Sequence, residues 1–569
     1  PVQSINDLLK YAVGVDVRQR GPIGAQTDIG IRGSTSEQIT ILLNGINICD
    51  PQTGHNAFDL PCDIMDIERI EILEGPAGRV YGTSSLVGAI NIVTRTASSN
   101  KADVRLEGGS FGYLSAAGRL AMGGHSLSAN YTRSDGYSRA KSGALNSDYS
   151  GGKVFYQGEY GHENLRLKWH AGLSTKGFGS NTFYSAKYDE QFEKTVKLNT
   201  AVQAEVAAGS LHFRPAIYWS RSHDRFELIR GLEDKVPFNR HRTDVFGVNL
   251  NSYFDWAAGR TALGAEFRNE DIVSTNLGEP LNDPFSHYKV GLNRSNLSFH
   301  LEHNILLKRF TLSAGFIAVK NTQSEMPFKL YPGIDMSYRI GADWKIYASY
   351  NSSLRMPSFT ELYYSVGGHK ADKHLKPEEL HAFEAGVKYQ SRVLTASASV
   401  FHHRARNMID WVMDTRDEEP VWQSVNHTKM NTTGFETNAT LTANRYTLNV
   451  AYCYLHQDKD VEDYLQSQYS LEYLRHKLTA SVLMHIMSRL DLNVKYRFQD
   501  RMGSYTTIDG EVRNYHPYSV VDARLSWNAD TYNIYIEADN LLSHRYVDYG
   551  NVPQPGCWFV AGMKVHFSL

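Results

Sequence analysis

Asp66–Arg95, DIERIEILEGPAGRVYGTSSLVGAINIVTR, reads as two short strands, Arg69–Leu73 and Ala89–Thr94, joined by a glycine-rich bend. Gly75-Pro76 ends the first strand, because proline fixes φ and has no N–H to give a ladder. Gly78, Gly82 and Gly88 let the backbone turn tightly around Arg79 and Tyr81. A segment this compact fits a small α/β domain, and so do the residues before it. Ser4 and Asp7 give a capping-box-like helix start, with Ile5, Leu8, Leu9 and Ala12 on one face before Gly14 stops it. Val15–Arg18, Ile29–Arg32 and Ile39–Leu43 read as strands, and Asn44-Gly45 as a tight turn. Two open loops, Gln19–Gln26 and Cys49–Pro61, interrupt this unit, which is assigned residues 1–100.

From Asp103 onward the pattern changes to period two. Leu490, Leu492, Val494, Tyr496 and Phe498 fall on one face, with Asp491, Asn493, Lys495 and Arg497 on the other. Leu165, Leu167 and Trp169 alternate with Arg166, Lys168 and His170, and Tyr532, Ile534 and Ile536 with Asn533, Tyr535 and Glu537. A half-buried strand of a soluble sandwich alternates in the same way. Three features favour a membrane barrel instead. The strands recur with no helical pattern between them. Their polar faces carry full charges, which a wet lumen tolerates and a packed core does not. Aromatic residues also cluster, as in Tyr452 with Tyr454 or Trp344 with Tyr347 and Tyr350, where girdle residues near strand ends would lie.

Composition agrees. Aromatic residues make 12% of the chain, glycines number 45 and hydrophobic residues reach only 41%. Mean hydropathy is −0.41, and no window approaches the ~18 uninterrupted apolar residues of a transmembrane helix. An alternating strand hides its apolar face in such averages. Net charge −2 leaves no nucleic-acid footprint. Short links such as Ala257–Gly259 and Ala443-Asn444 alternate with polar excursions at Thr175–Glu193, Arg230–Arg242, Leu277–His287 and Asp414–Asn431. One rim of tight turns and one of long loops is the asymmetry of outer-membrane barrels. Strands of ~10–11 residues plus loops number roughly 20–24 over the remaining chain. The expected fold is therefore an all-β transmembrane barrel of about 22 antiparallel strands, residues 101–569, plugged by the N-terminal α/β unit.

Three blocks, in order along almost the whole chain, resemble the TonB-dependent outer-membrane receptors. Ile31-Arg32-Gly33, Leu42–Gly45 and Ile67–Arg95 look like the plug signature; SLRMPSFTELYY (Ser353–Tyr364) with LKPEE (Leu375–Glu379) like that of the middle of the barrel; ADNLLSHRYVDYG (Ala538–Gly550) and the last strand like the C-terminal one. Glu74 stands where the family commonly has Arg or Lys before Gly-Pro, and Asn44 where Asp is usual. The chain ends on Phe567-Ser568-Leu569, and no TonB box is evident, so the energy-coupling segment is expected before Pro1.

The resemblance implies uptake across the bacterial outer membrane. Ligand binds on plug and barrel loops at the extracellular mouth, and TonB, powered with ExbB and ExbD by the inner-membrane proton gradient, pulls the plug from its N-terminal side. A plug held by polar contacts suits this, because a dry apolar interface resists remodelling. Arg32, Arg69, Glu71, Glu74, Arg79 and Arg95 are the expected plug charges, some of them pairing within the plug itself. The chain lies near the short end of the family, where the cobalamin transporters lie. Gln19–Gln26 and Asp50–Leu60 resemble in position the loops that contact cobalamin there, making Arg20, Gly24, Gln26, Gln52, Thr53, His55 and Asn56 the candidate ligand contacts. A ferric catecholate or citrate would favour an Arg/Lys cluster there, and only Arg20 qualifies. The ligand expected is a corrinoid, with a ferric siderophore or haem as the alternative, or a surface receptor or adhesin without transport.

Cys49 and Cys62 flank the second loop, and a disulfide between them would lower its ordering cost. A surface lipoprotein lid is compatible with the long loops. No resident cofactor or metal is expected: Asp414, Asp417, Glu418 and Glu419 read as a solvated loop face before a Ca²⁺ site. An enzyme is disfavoured. Gly108–Gly112 matches G-x-S-x-G but falls in the first barrel hairpin, without the strand-turn-helix of a nucleophile elbow. Walker A, H-E-x-x-H and dinucleotide fingerprints are missing from the sequence.

Overall fold

The computed structural model describes residues 4–22, 25–56, 58–75, 86–97, 99–323, 327–459, 462–467 and 472–569. The bend with Gly78, Arg79, Tyr81 and Gly82 lies outside the described residues, as do Gly24 and the side chain of Asn56.

The N-terminal unit opens with helix α1 (Ile5–Lys10), whose Ser4 and Asp7 form the expected capping box. Strands β1 (Val15–Arg20) and β2 (Gln26–Ile31) pair as a hairpin. A second sheet has the order β4 (Ile46–Asn47), β3 (Ile39–Leu43), β6 (Gly88–Thr94), β5 (Ile67–Glu74), with β3 and β6 parallel. Asn44 and Gly45 take φ of 51° and 82°, the geometry that makes Asn-Gly a hairpin turn. Ile41, Leu43, Ile90 and Ile92 of this sheet meet Leu9, Val17, Ile29 and Ile31 in one apolar core. β1 and β2 run further than the sequence suggested. The Arg20–Gln26 pair belongs to their ladder, which leaves a shorter turn than the expected Gln19–Gln26 loop.

Around this unit 22 antiparallel strands form a closed barrel. The last strand, Trp558–Ser568, pairs with the first, Lys101–Gly109, and Leu569 N donates to Asn100 O on the turn rim. The alternation is inside out relative to a soluble protein. On Lys101–Gly109, Val104 and Leu106 are 42% and 49% exposed while Arg105 and Glu107 are buried on the lumen side, Arg105 against Asp63 of the plug. Leu490–Arg501 likewise turns Arg497, Gln499 and Arg501 inward.

Several expected loops are mostly strand. Leu165–Asn181 and Gln191–Ala208 take up most of Thr175–Glu193, and Leu394–Asp414 with Trp422–Thr442 most of Asp414–Asn431. Glu279–Phe285 forms a further strand within Leu277–His287. The physical reason is continuous. Above the bilayer both faces of the wall meet water, so polar residues no longer alternate with apolar ones, yet the ladder hydrogen bonds persist. Of Gly108–Gly112, the first two glycines end the first barrel strand and Ser110–Gly112 forms the turn to the second.

Candidate functional site

The loop after β4 is pinned from three directions. Asp50 Oδ1 accepts from the Gln52 amide at 2.9 Å, an Asx turn. The Gly54 amide donates to Glu37 Oε1 at 2.6 Å. His55 Nδ1 lies 3.0 Å from Asp28 Oδ1, whose other oxygen accepts from Arg20 at 2.5 Å. Burial alone would raise the Asp28 carboxyl, but Arg20 and His55 hold it well below the usual carboxylate range. From the barrel, helix α2 (Phe359–Tyr363) sits on the same loop: its Phe359 and Thr360 amides donate to Pro51 O at 2.8 Å and Gln52 O at 3.0 Å. The SFTELYY segment thus fastens a barrel loop to a plug loop.

Above this floor opens a cup of about 800 Å³. Gln52, Thr53 and His55 line it from the plug, and Tyr184, Phe226, Tyr364 and Trp411 supply aromatic walls from the barrel. Its described lining contains Glu193 and Asp224 and neither arginine nor lysine. Gln52 Nε2 donates to Asp224 Oδ2 at 3.0 Å across the floor. Tyr364, His369 and Trp411 pack edge to face, with Tyr364–His369 centroids 5.2 Å apart and His369–Trp411 centroids 5.4 Å apart. An adjoining cavity shares Thr53, His55, Thr360 and Trp411, and its Arg18 is paired with Glu472.

Of the expected ligand contacts, the structure brings Gln52, Thr53 and His55 together at the cup. Arg20 is fully buried between Asp28 and the Tyr549 ring, 3.6 Å away, and does not line it. Gln26 is buried too, with its Oε1 accepting from Tyr184 at 2.7 Å. Asp224, His241, His369 and Trp411 lie outside the expected set of ligand contacts, because only barrel closure gathers them. Aromatic residues interleaved with carboxylates in the polar excursions were the available signal.

The plug charges divide likewise. Arg32 has φ of 50°, a left-handed position that with Gly33 turns its side chain to the wall. Its guanidinium contacts Glu74 at 2.7 Å, Glu384 at 2.6 Å and Glu436 at 3.1 Å, and lies 3.9 Å over the Phe401 ring. Glu74 also hydrogen-bonds Glu436, so two carboxyl groups meet across the seam. Burial, reinforced by Glu436 and Glu384 and opposed by Arg32, pushes Glu74 up to about 8. Arg69 pairs with Glu71 at 3.1 Å on an exposed face, and Arg95 donates to Ile67 O at 3.2 Å. Further ionic contacts of the seam, among them Arg105–Asp63 at 2.9 Å, Arg119–Asp66 at 3.2 Å and Arg501–Asp16 at 2.6 Å, involve residues outside the expected set.

The expected Cys49–Cys62 disulfide is not formed; both are free thiols. Cys49 Sγ accepts from the Ile41 amide at 3.2 Å, whereas Cys62 is packed into the apolar core, where burial pushes its thiol up. The loop is closed by the Asp50 and Glu37 hydrogen bonds instead. Asp414 is engaged by Arg416 at 2.8 Å, and among the described residues no group of three His, Cys, Asp or Glu side chains is arranged to hold a metal ion.

A family model described as "TonB-dependent Receptor Plug Domain" matches residues 1–89, and one described as "TonB dependent receptor-like, beta-barrel" matches residues 95–541. The vitamin B12 transporter BtuB of Vibrio vulnificus (strain CMCP6) is 23% identical over 428 residues, covering 72% of this chain and 66% of that protein. Its counterpart from Photobacterium profundum is 23% identical over 478 residues, covering 81% and 74%. The chain thus spans just under two thirds of the Vibrio relative. Among solved structures, a mutant of the ferric enterobactin receptor PfeA from Pseudomonas aeruginosa superposes with a TM-score of 0.80 at 14% identity, over 100% of this chain and 96% of that one. The copper transporter OprC gives 0.81 at 14%, over 99% and 95%. At these identities the structural likeness speaks for the fold.

Proposed function

This chain belongs to the TonB-dependent receptors, plugged β-barrels of the bacterial outer membrane, and from that premise we propose that it takes up cobalamin or another corrinoid with energy delivered by TonB, ExbB and ExbD. The observation that carries the ligand class is the cup. Its described lining has aromatic rings, histidines, amide and hydroxyl groups and two carboxylates, with no lysine or arginine. A ferric catecholate or citrate is anionic and gains most from charge-assisted hydrogen bonds to such cations, and the described lining offers none. A corrinoid presents amides and a broad apolar rim, which hydrogen-bonding groups set among aromatic walls accommodate. Gln52, Thr53 and His55 are the plug's contacts in this reading, and the BtuB relatives support it.

Purified receptor titrated with cyanocobalamin and, in parallel, with ferric enterobactin and haemin tests it. Micromolar or tighter binding of cyanocobalamin alone is expected, together with growth of the host on limiting cobalamin that disappears on deletion. Binding of a ferric chelate and not of cyanocobalamin would give the chain to iron uptake. Binding without energised accumulation would make it a surface receptor. A lipoprotein lid belongs to the same reading, and co-purification from outer membranes tests it.

A further inference from the structure

Asp224 and His241 stand directly opposite each other on neighbouring strands, Leu211–Glu227 and Asn239–Trp256, near the extracellular rim. Both line the cup. Opposed residues of an antiparallel pair carry their Cβ atoms about 4.5–5.5 Å apart, so the two side chains serve one spot of the wall.

His241 is held in a single tautomer. Ser274 Oγ accepts the Asn276 amide at 3.0 Å and the Leu277 amide at 2.9 Å, which fills its two lone pairs. Its own proton goes to the nearer acceptor, His241 Nδ1 at 2.6 Å, in preference to Asn276 Oδ1 at 3.3 Å. With Nδ1 accepting, Nε2 carries the imidazole proton. Burial pushes the ring's pKa down to about 3, so it stays neutral and the tautomer persists. Nε2–H is left without a partner among the described residues.

Asp224 is the reverse case. Its Oδ2 accepts from Gln52 at 3.0 Å, whereas Oδ1 is buried with no protein partner. Burial raises the carboxyl to about 6, which leaves it ionised and purely accepting at pH 7.5. The broad terminal torsion of an aspartate lets Oδ1 turn toward the cup at little cost.

An unmet acceptor beside an unmet donor is unfavourable in the empty protein. A primary carboxamide satisfies both at once, its carbonyl oxygen accepting from His241 Nε2 and its NH₂ donating to Asp224 Oδ1. We propose that Asp224 and His241 form a carboxamide clamp in the wall of the cup. An ester or a carboxylate in the same place has no N–H to give Asp224. The clamp rests on the corrinoid reading above and deepens it, because it selects the amidated periphery of such a ligand over its hydrolysed acids.

Purified receptor is titrated at pH 7.5 with cyanocobalamin and with a set of its monocarboxylates, each with a different peripheral primary carboxamide hydrolysed. One acid of the set is expected to bind roughly ten- to hundredfold more weakly than cyanocobalamin. Asp224→Asn, whose side-chain amide can donate, should close that gap, and His241→Phe should weaken cyanocobalamin by a similar factor. Because Asp224→Asn gains affinity for an acid, a folding defect cannot imitate it. A set that binds uniformly, a gap that persists in Asp224→Asn, or full cyanocobalamin affinity in His241→Phe overturns the clamp. Should neither cyanocobalamin nor any of the acids bind, the corrinoid reading fails, and the clamp is judged with propionamide and propionate alone by saturation-transfer NMR. Transfer to propionamide in the parent that shifts to propionate in Asp224→Asn upholds it. No transfer to propionamide, or the same preference in the variant, overturns it.

Discussion

Arg32 Nη2 donates to Glu384 Oε1 at 2.6 Å, tying a left-handed turn of the plug to the lumen face of a barrel strand. Around that bond three carboxylates share one guanidinium, since Glu74 and Glu436 contact Arg32 Nε. With all three ionised the cluster would carry two uncompensated negative charges in a buried setting. Burial, reinforced by Glu436 and Glu384, relieves this by favouring a proton on Glu74.

Arg32→Ala leaves those carboxylates facing one another without their cation. Removing one partner of a buried ionic group costs about 3–5 kcal/mol, so the plug should come free of the barrel at a markedly lower urea concentration than in the parent. Protease sensitivity of the plug, read across a urea series, measures this. An unchanged midpoint would mean that Arg32 holds nothing.

Plug retention should also fall as pH rises. The Glu74 carboxyl sits at about 8 in the seated plug and near 4.3 when exposed. Between those values the seated form holds a proton that the freed form gives up, so stability is present below the lower value and drains away toward the upper one. Glu37, pushed up to about 7, and Asp66, at about 6, act with the same sign, mainly through burial. The groups facing Glu74 are Arg32, Glu384, Glu436 and, beyond Glu436 Oε1 at 3.9 Å, the Cys453 thiol. Melting curves from pH 5 to 8.5 should show the decline, and Glu74→Gln should flatten its upper part. An identical slope in the variant places the proton elsewhere.

In the cup, Trp411 is packed against His369 and faces the ligand space. Trp411→Ala should weaken corrinoid binding by about 1–2 kcal/mol, roughly five- to thirtyfold in Kd. Titration calorimetry with cyanocobalamin reads the affinity. Full affinity in the variant would put the ligand away from this wall.

Cys49 and Cys62 should both alkylate once the receptor, purified under non-reducing conditions, is unfolded, and neither should react while it is folded. Burial and a pushed-up thiol keep Cys62 inert, and Cys49 is similarly raised. Peptide mass mapping that found the two joined would restore the bridge and would imply that the loop is closed covalently.

What the sequence discloses here follows from how far apart the cooperating residues lie. The alternation in Leu490–Phe498 and the Asn44-Gly45 turn are local, and both are read from neighbours in the chain. Arg32 was legible as a plug charge but its partners were not: Glu384 and Glu436 are 352 and 404 residues away. The cup behaves the same way, since Gln52 meets Asp224 across 172 residues. Arg20 misled for a different reason. As the single cation of an open loop it looked ligand-facing, but the hairpin ladder buries it on Asp28, where its charge is already spent. Strand ends in the 175–193 and 414–431 stretches were obscured because polarity signals a loop only where a strand would otherwise be half apolar.

Glu74 remains the informative position, because it carries an acid where related plugs commonly carry a base. Glu74→Lys would set two cations against Glu384 and Glu436 and balance the cluster's charge. The Lys ammonium reaches the same two carboxylates that Arg32 contacts, and each charge-assisted hydrogen bond adds about 1.5–3 kcal/mol. The expected variant therefore holds its plug more firmly, loses the upper part of the pH decline, binds cyanocobalamin as before and transports it more slowly. Binding should be spared because the latch shares no lining residue with the cup. Uptake rate, equilibrium binding and urea retention together decide the matter. A variant whose retention and transport both match the parent shows that the charges at this bend do not tune release of the plug.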